Sequence, residues 1–231
     1  MLIGAALSLP GYGFALPSSA PLPPPRPDRP EPATQEPQVP PAGEDQQKVS
    51  EVSEADKACI DNLEKLGLRF EKRPPVQENA CKIANPVSVS GLPNGVEISP
   101  VSLMECRYAE GLARWVGEVV VPRAGEHLKA APKKILIGTS YQCRDQRSGA
   151  KLSEHAFGNG VDVMGFEFDK SGPLTIKFQA EGSPEAAFQS AIQKEACAIF
   201  STVLGPGADA DHGDHLHLDM RARKGDYRIC Q

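Results

Sequence analysis

The chain has 231 residues, with 25 Lys and Arg against 30 Asp and Glu and a formal net charge of −5. That length suffices for one well-buried domain plus a tail. The negative charge sits in residues 21–56, where Arg26, Arg29 and Lys48 face eight acidic side chains; the remainder balances at zero, and no basic patch offers itself to nucleic acid.

Residues 2–16 are apolar and are followed by Ser18-Ser-Ala20, in the manner of a secretory leader, although no Lys or Arg precedes them and Pro10 interrupts them. The run is too short for a membrane span. Residues 1–20 are therefore expected to be a signal or apolar leader. The protein is expected to be exported, periplasmic or envelope-associated, with any membrane tether confined to this end. Residues 21–52 are rich in Pro, Glu, Gln and Ala. Such a composition buries too little apolar surface to order itself and reads as a disordered, extended linker. The folded domain is expected over residues 53–231.

Ser53 suits the N-cap of a helix running to about residue 66. Residues 87–89 and 96–98 suggest a small sheet or hairpin. From Pro100, the spacing Leu103, Cys106, Ala109, Leu112, Val116 predicts a helix with one apolar face. Residues 135–137 read as a buried strand ending at Gly138. A strand over 161–168 would place Asp162, Met164, Phe166 and Phe168 on one face and pair with 174–178 across Asp169-Lys-Ser-Gly172. Ser183 and Pro184 open a helix expected to continue to about residue 204, before Gly205-Pro-Gly207. A histidine-bearing strand follows, with an edge strand expected at 226–229. The pattern predicts an α+β domain whose mostly antiparallel sheet is flanked by helices.

The six cysteines (Cys59, Cys81, Cys106, Cys143, Cys197, Cys230) are spread singly, with no Cys-x-x-Cys pair. Behind an export-like start, an even number argues for up to three disulfides, and Cys59–Cys81 is expected as one local loop.

Four of the five histidines fall in two short stretches, 152–164 and 211–220; the fifth, His127, reads as a surface side chain. In the second stretch, strand alternation places His215, His217 and Asp219 on one face, with Leu216 and Leu218 on the other. In the first, Asp162 would sit in an apolar row, which is costly unless a cation or several donors satisfy it. His155 lies on a loop with Gly158 and Gly160 that can fold back beside it. One His and one Asp from the first stretch plus one His from the second make three protein ligands, the number of a catalytic zinc site with an open position.

Ser153-x-His155-x-x-Gly158-x-x-x-Asp162, followed by Asp214-x-x-His217 with His215 between, resembles the zinc peptidase superfamily. That group comprises D-alanyl-D-alanine carboxypeptidases and dipeptidases, lysostaphin-type endopeptidases and the Hedgehog amino-terminal domain. Ser140-Tyr-Gln-Cys-Arg144, Leu152-Ser-Glu-His-Ala and Asp214-His-Leu-His-Leu-Asp-Met220 are similar to the bacterial extensin-like protein C-terminal domain, over about Cys59 to Cys230. Gly160 departs from the alanine usual in the peptidases.

The resemblance implies a Hedgehog/D-Ala-D-Ala-peptidase-like fold, with Zn²⁺ held by His155, Asp162 and His217. It makes Asp214 a general base, although a strand-start cap is the competing reading, and it makes Arg144 a substrate residue, unless it pairs with Asp145 or Glu154. His215 would stabilise an oxyanion. Ser153 would orient the loop or contact substrate, and Asp219 is either a second acceptor behind a ligand imidazole or an ordinary ion-paired carboxylate. His212 is expected at the rim and not as a ligand. The implied function is a zinc-dependent hydrolase of peptide bonds in peptidoglycan stems or cross-links, with peptidoglycan peptides as partners. The alternatives are a non-catalytic, zinc-containing wall- or partner-binding module and a purely structural metal site.

Overall fold

The computed structural model describes residues 53–231 apart from 148 and 150, so the leader and linker expected over 1–52 lie outside the described residues. Helix α1 (Glu54–Lys65) begins where expected: the Ser53 hydroxyl accepts from the Asp56 N–H, and Glu54 and Asp56 place negative charge in the first turn. Its buried Cys59, Ile60 and Leu63 form the inward face.

Strand β1 (Arg69–Lys72) follows, then a separate hairpin of β2 (Val76–Glu78) and β3 (Cys81–Ile83). Next, β4 (Pro86–Gly91) and β5 (Glu97–Glu105) pair antiparallel. The helix expected from Pro100 starts only at Cys106. Residues 100–105 belong to β5, where Ser102 and Met104 turn inward against β4 at a strand period of two that competes with the helical spacing.

Helix α2 (Cys106–Trp115), capped by the Glu105 carboxylate, runs through a π-helical turn (Val116–Val120) into α3 (Val121–Leu128). Pro122 explains that turn. It lacks an N–H and its ring would meet the carbonyl four residues back, so the widened turn before it carries the helix past. Lys129, with φ 53°, ends it.

The remaining elements are β6 (Pro132–Thr139), β7 (Gly160–Phe168), β8 (Leu174–Thr175), α4 (Pro184–Ala196), β9 (Thr202–Leu204), β10 (Leu216–Asp219) and β11 (Ile229–Cys230). Helix α4 stops at Ala196, short of residue 204, because residues 202–204 are recruited as β9 by the backbone of β10. Among the described residues one nine-stranded sheet has the order β1-β4-β5-β6-β7-β10-β9-β11, with β8 on β7. It is antiparallel except at β5/β6 and β9/β11. The α+β class with a mostly antiparallel sheet holds.

The core gathers Val87, Val161, Val163, Val203, Leu216 and Leu218 from the sheet against the helices. Trp115 packs on Phe166 and Phe200 and donates through its indole N–H to Ile192 O (3.1 Å). Tyr108 donates to Leu218 O (2.8 Å), tying α2 to the back of the histidine strand.

All six cysteines are paired, as Cys59–Cys106, Cys81–Cys143 and Cys197–Cys230. The expected Cys59–Cys81 loop is incorrect. Cys59 lies on the buried face of α1 that packs on α2, which presents Cys106, whereas Cys81 on β3 meets the loop after β6 that carries Cys143.

Candidate metal centre

Strand register builds the floor of the site. Strands β7 and β10 pair so that Leu216 faces Val163, His217 faces Asp162, and Leu218 faces Val161. Alternation sends the four aliphatic side chains into the core, where fully burying each is worth roughly 1.5–3 kcal/mol. The same alternation turns Asp162 and His217 together to the opposite face. The row continues on both sides, since Thr139 of β6 is the partner of Asp162, and Leu204 of β9 is the partner of His217. The apolar row expected around Asp162 does not form. The β6/β7 register shifts between Leu136 and Ile137, leaving Met164 as an extra residue. That bulge puts Phe166 in the core and Asp162 on the site face.

His155 arrives from outside the sheet. It sits in a 3₁₀ turn (Glu154–Phe157) opened by Ser153, whose hydroxyl accepts from the His155 N–H, and closed by Gly158 at φ 60°. Gly158 is required twice. Its left-handed backbone disfavours a side chain, and an added Cβ would lie 2.8 Å from Glu105 N and 2.7 Å from Ile83 Cδ1.

The His155 ring is fixed by its Nδ1, 2.8 Å from Ser140 O. A carbonyl only accepts, so Nδ1 carries the proton and Nε2 presents a lone pair. That Nε2 is buried and finds no hydrogen-bond partner among the described residues, although Asp162 Oδ1 is 3.3 Å away. On the far side of the carboxylate, His217 Nδ1 lies 2.9 Å from Asp162 Oδ1, while His217 Nε2 lies 3.0 Å from Asp219 Oδ2. Ligand atoms of His155, Asp162 and His217 fall within 4.8 Å of one another.

A family model described as the extensin-like protein C-terminus matches residues 57–231. The chain belongs to that family. The match takes in every residue of this site and all six cysteines. No curated protein and no solved structure matches the chain.

In this extensin-like domain the electrostatics follow from crowding. Burial raises the Asp162 carboxyl, but His217, donating from Nδ1 at 2.9 Å, reverses the effect and holds it far below the usual carboxylate range. Burial also disfavours a charged His217, yet Asp162 and Asp219 push it up to about 9. Asp219 is likewise lowered against its burial by His217, Thr202 and the Arg221 N–H. The donor set of two imidazole nitrogens and one carboxylate suits a borderline divalent ion such as Zn²⁺. An orphaned, buried imidazole lone pair beside an ionised carboxylate is the arrangement a cation satisfies.

These groups open onto a cavity of about 1250 Å³. His215 Nδ1 lies 2.9 Å from Asp214 Oδ1, and its Nε2 lies 3.8 Å from Asp162 Oδ1. Asp214 itself is 77% exposed and held low by its hydrogen bond to His215. Arg144 lines the cavity, donating to Gln142 Oε1 (2.9 Å) and to the Asp145 carbonyl, with no ion-pair partner among the described residues. Glu154, the other partner weighed for Arg144, instead accepts from Asn159 and faces Arg221. Ser153 is buried and acts as the cap of the His155 turn. His212 stands at the cavity wall on Asp209, its ring 5.1 Å from that of His215.

Sequence reasoning missed Ser140, whose carbonyl sets the His155 ring, and Thr202, Leu204 and Arg223. The alternation of Thr202 and Leu204 around buried Val203 was the available signal, hidden by the expectation of a helix to 204.

Proposed function

We propose that His155 Nε2, an Asp162 oxygen and His217 Nδ1 hold Zn²⁺, and that the domain is a zinc-dependent hydrolase of peptide bonds in peptidoglycan stems or cross-links, exported to the periplasm or envelope. The observation that carries this reading is the buried His155 Nε2, without a hydrogen-bond partner among the described residues and aimed at the Asp162–His217 pair. Zn²⁺ so held supplies Lewis acidity, polarising a scissile carbonyl and lowering the pKa of water. Kinship with the Hedgehog and D-alanyl-D-alanine peptidase folds belongs to the same proposal and rests on motif spacing.

The protein's own groups divide the remaining work. Asp214 accepts from His215 Nδ1–H, which turns Nε2 of His215 towards the centre. The pair therefore acts as a dyad in which His215 Nε2 takes and returns the proton and Asp214 holds the imidazolium. The direct base role expected of Asp214 passes to this pair. Arg144, without a carboxylate partner among the described residues, offers its planar fork to a peptide carboxylate. A cavity larger than the roughly 300–1,000 Å³ of small-molecule pockets suits a polymer segment.

Purified wall incubated with the zinc-loaded protein, with and without chelator, should yield different fragments by mass spectrometry; matching profiles would refute the hydrolase. If Asp214→Ala then binds wall and supports cells like wild type, the zinc-containing binding module is the better account.

A further inference from the structure

We propose that Thr202 and Arg223 are positioning residues for the metal centre, acting through Asp219 to present the Nδ1 face of His217 to the ion. The inference rests on the metal-binding part of the reading above and does not need hydrolysis.

The chain of contacts has a single direction. Arg223 donates from one terminal nitrogen to Thr202 Oγ1 (2.6 Å) and from the other to Ser201 O (2.9 Å). Guanidinium has no acceptor, so the Thr202 oxygen is occupied as an acceptor and its proton is turned away from Arg223. That proton goes to Asp219 Oδ1, 2.5 Å away. The same oxygen accepts from the Arg221 N–H (3.0 Å). With Oδ1 doubly engaged, Asp219 keeps Oδ2 for His217 Nε2, 3.0 Å away. His217 therefore carries its fixed proton on Nε2 and turns Nδ1 to Asp162 and His155. Thr202 and Asp219 are only 4% and 5% exposed, so water competes weakly for these bonds.

Backbone register holds the network in place. Asp219 and Thr202 are direct partners across β10 and β9, and Ile229 pairs with Thr202 from the other side. Arg223 and Thr202 also line the cavity, so the far end of the network is accessible from the site it serves. Outer groups that orient a ligand imidazole typically change metal affinity about 10–100-fold when removed.

The test uses the full chain, with Zn²⁺ as the probe in competition with a chromophoric chelator, and NMR of the 15N-labelled His217 ring. Thr202→Val should weaken zinc binding about tenfold or more and broaden or lose the slowly exchanging His217 Hε2 signal. Thr202→Ser, which keeps the hydroxyl, should restore both. A Val variant that holds zinc like wild type, or one that loses zinc with the Hε2 signal unmoved, overturns the assignment. Where Thr202→Val does not fold, Arg223→Gln decides by the same two readouts: both shifting supports the network, neither or only one shifting overturns it. A wild type that binds no zinc refutes the metal reading, while the Hε2 comparison in metal-free protein still decides whether Thr202 positions His217.

Discussion

At the residue scale, His155 and Asp162 are buried polar groups, and the Nε2 of His155 finds no hydrogen-bond partner among the described residues. His155→Ala and Asp162→Asn should each lower zinc affinity by more than the roughly 10–100-fold of an outer-group change, read by chelator competition. Metal-free stability follows from the same crowding. Its sign is set by His217, whose pKa rises from 6.5 to about 9 on folding. That contribution is fully present below 6.5 and is lost as pH climbs through about 9. Asp162 and Asp219 are depressed from 3.8, so theirs is present above that value and is lost as pH falls further. Melting scans in chelator should therefore peak between 3.8 and 6.5 and decline towards alkaline pH. Zinc must displace the His217 proton, so the melting-temperature gain from added zinc should grow as pH rises from about 6 to 9.

At the element scale, the site depends on turns and register more than on any single strand. Gly158→Ala forces a Cβ onto a left-handed backbone 2.8 Å from Glu105 N, and is expected to cost about 1–3 kcal/mol in denaturant unfolding. Zinc affinity should fall with it because the His155 turn must move. Gly160→Ala is the control: its Cβ would meet Asp219 Cβ at 3.4 Å and His217 Cε1 at 3.5 Å, ordinary contacts, so stability should change by less than about 0.5 kcal/mol. Element identities were legible where one period dominated, as in α1, β6 and the strand of Leu216 and Leu218. They were misread at 100–105 and 202–204, where a helical spacing and a strand alternation coexist and only pairing with β4 or β10 decides. The Met164 bulge left no mark in local sequence, because it is a mismatch between two strands rather than a property of one.

At the scale of the whole molecule, Cys81–Cys143 fastens the loop bearing Arg144 and leading to His155 onto the β2/β3 hairpin. Cys81→Ser with Cys143→Ser should cost about 2–4 kcal/mol in unfolding free energy and loosen Arg144, seen as faster amide exchange over residues 140–147.

The sequence by itself determined the class of the domain, the helix N-cap at Ser53 and the sharing of one face by His215, His217 and Asp219, and with the family resemblance it nominated His155, Asp162 and His217. Those are consequences of alternation and of which side chains can ligate a metal, and both are written locally. Disulfide partners, the bulge that frees Asp162 from the aromatic row, the Asp214–His215 pairing and the Thr202–Arg223 support were decided only by the tertiary structure. Each depends on which distant segments the packed core brings side by side, a long-range outcome that no window of sequence contains.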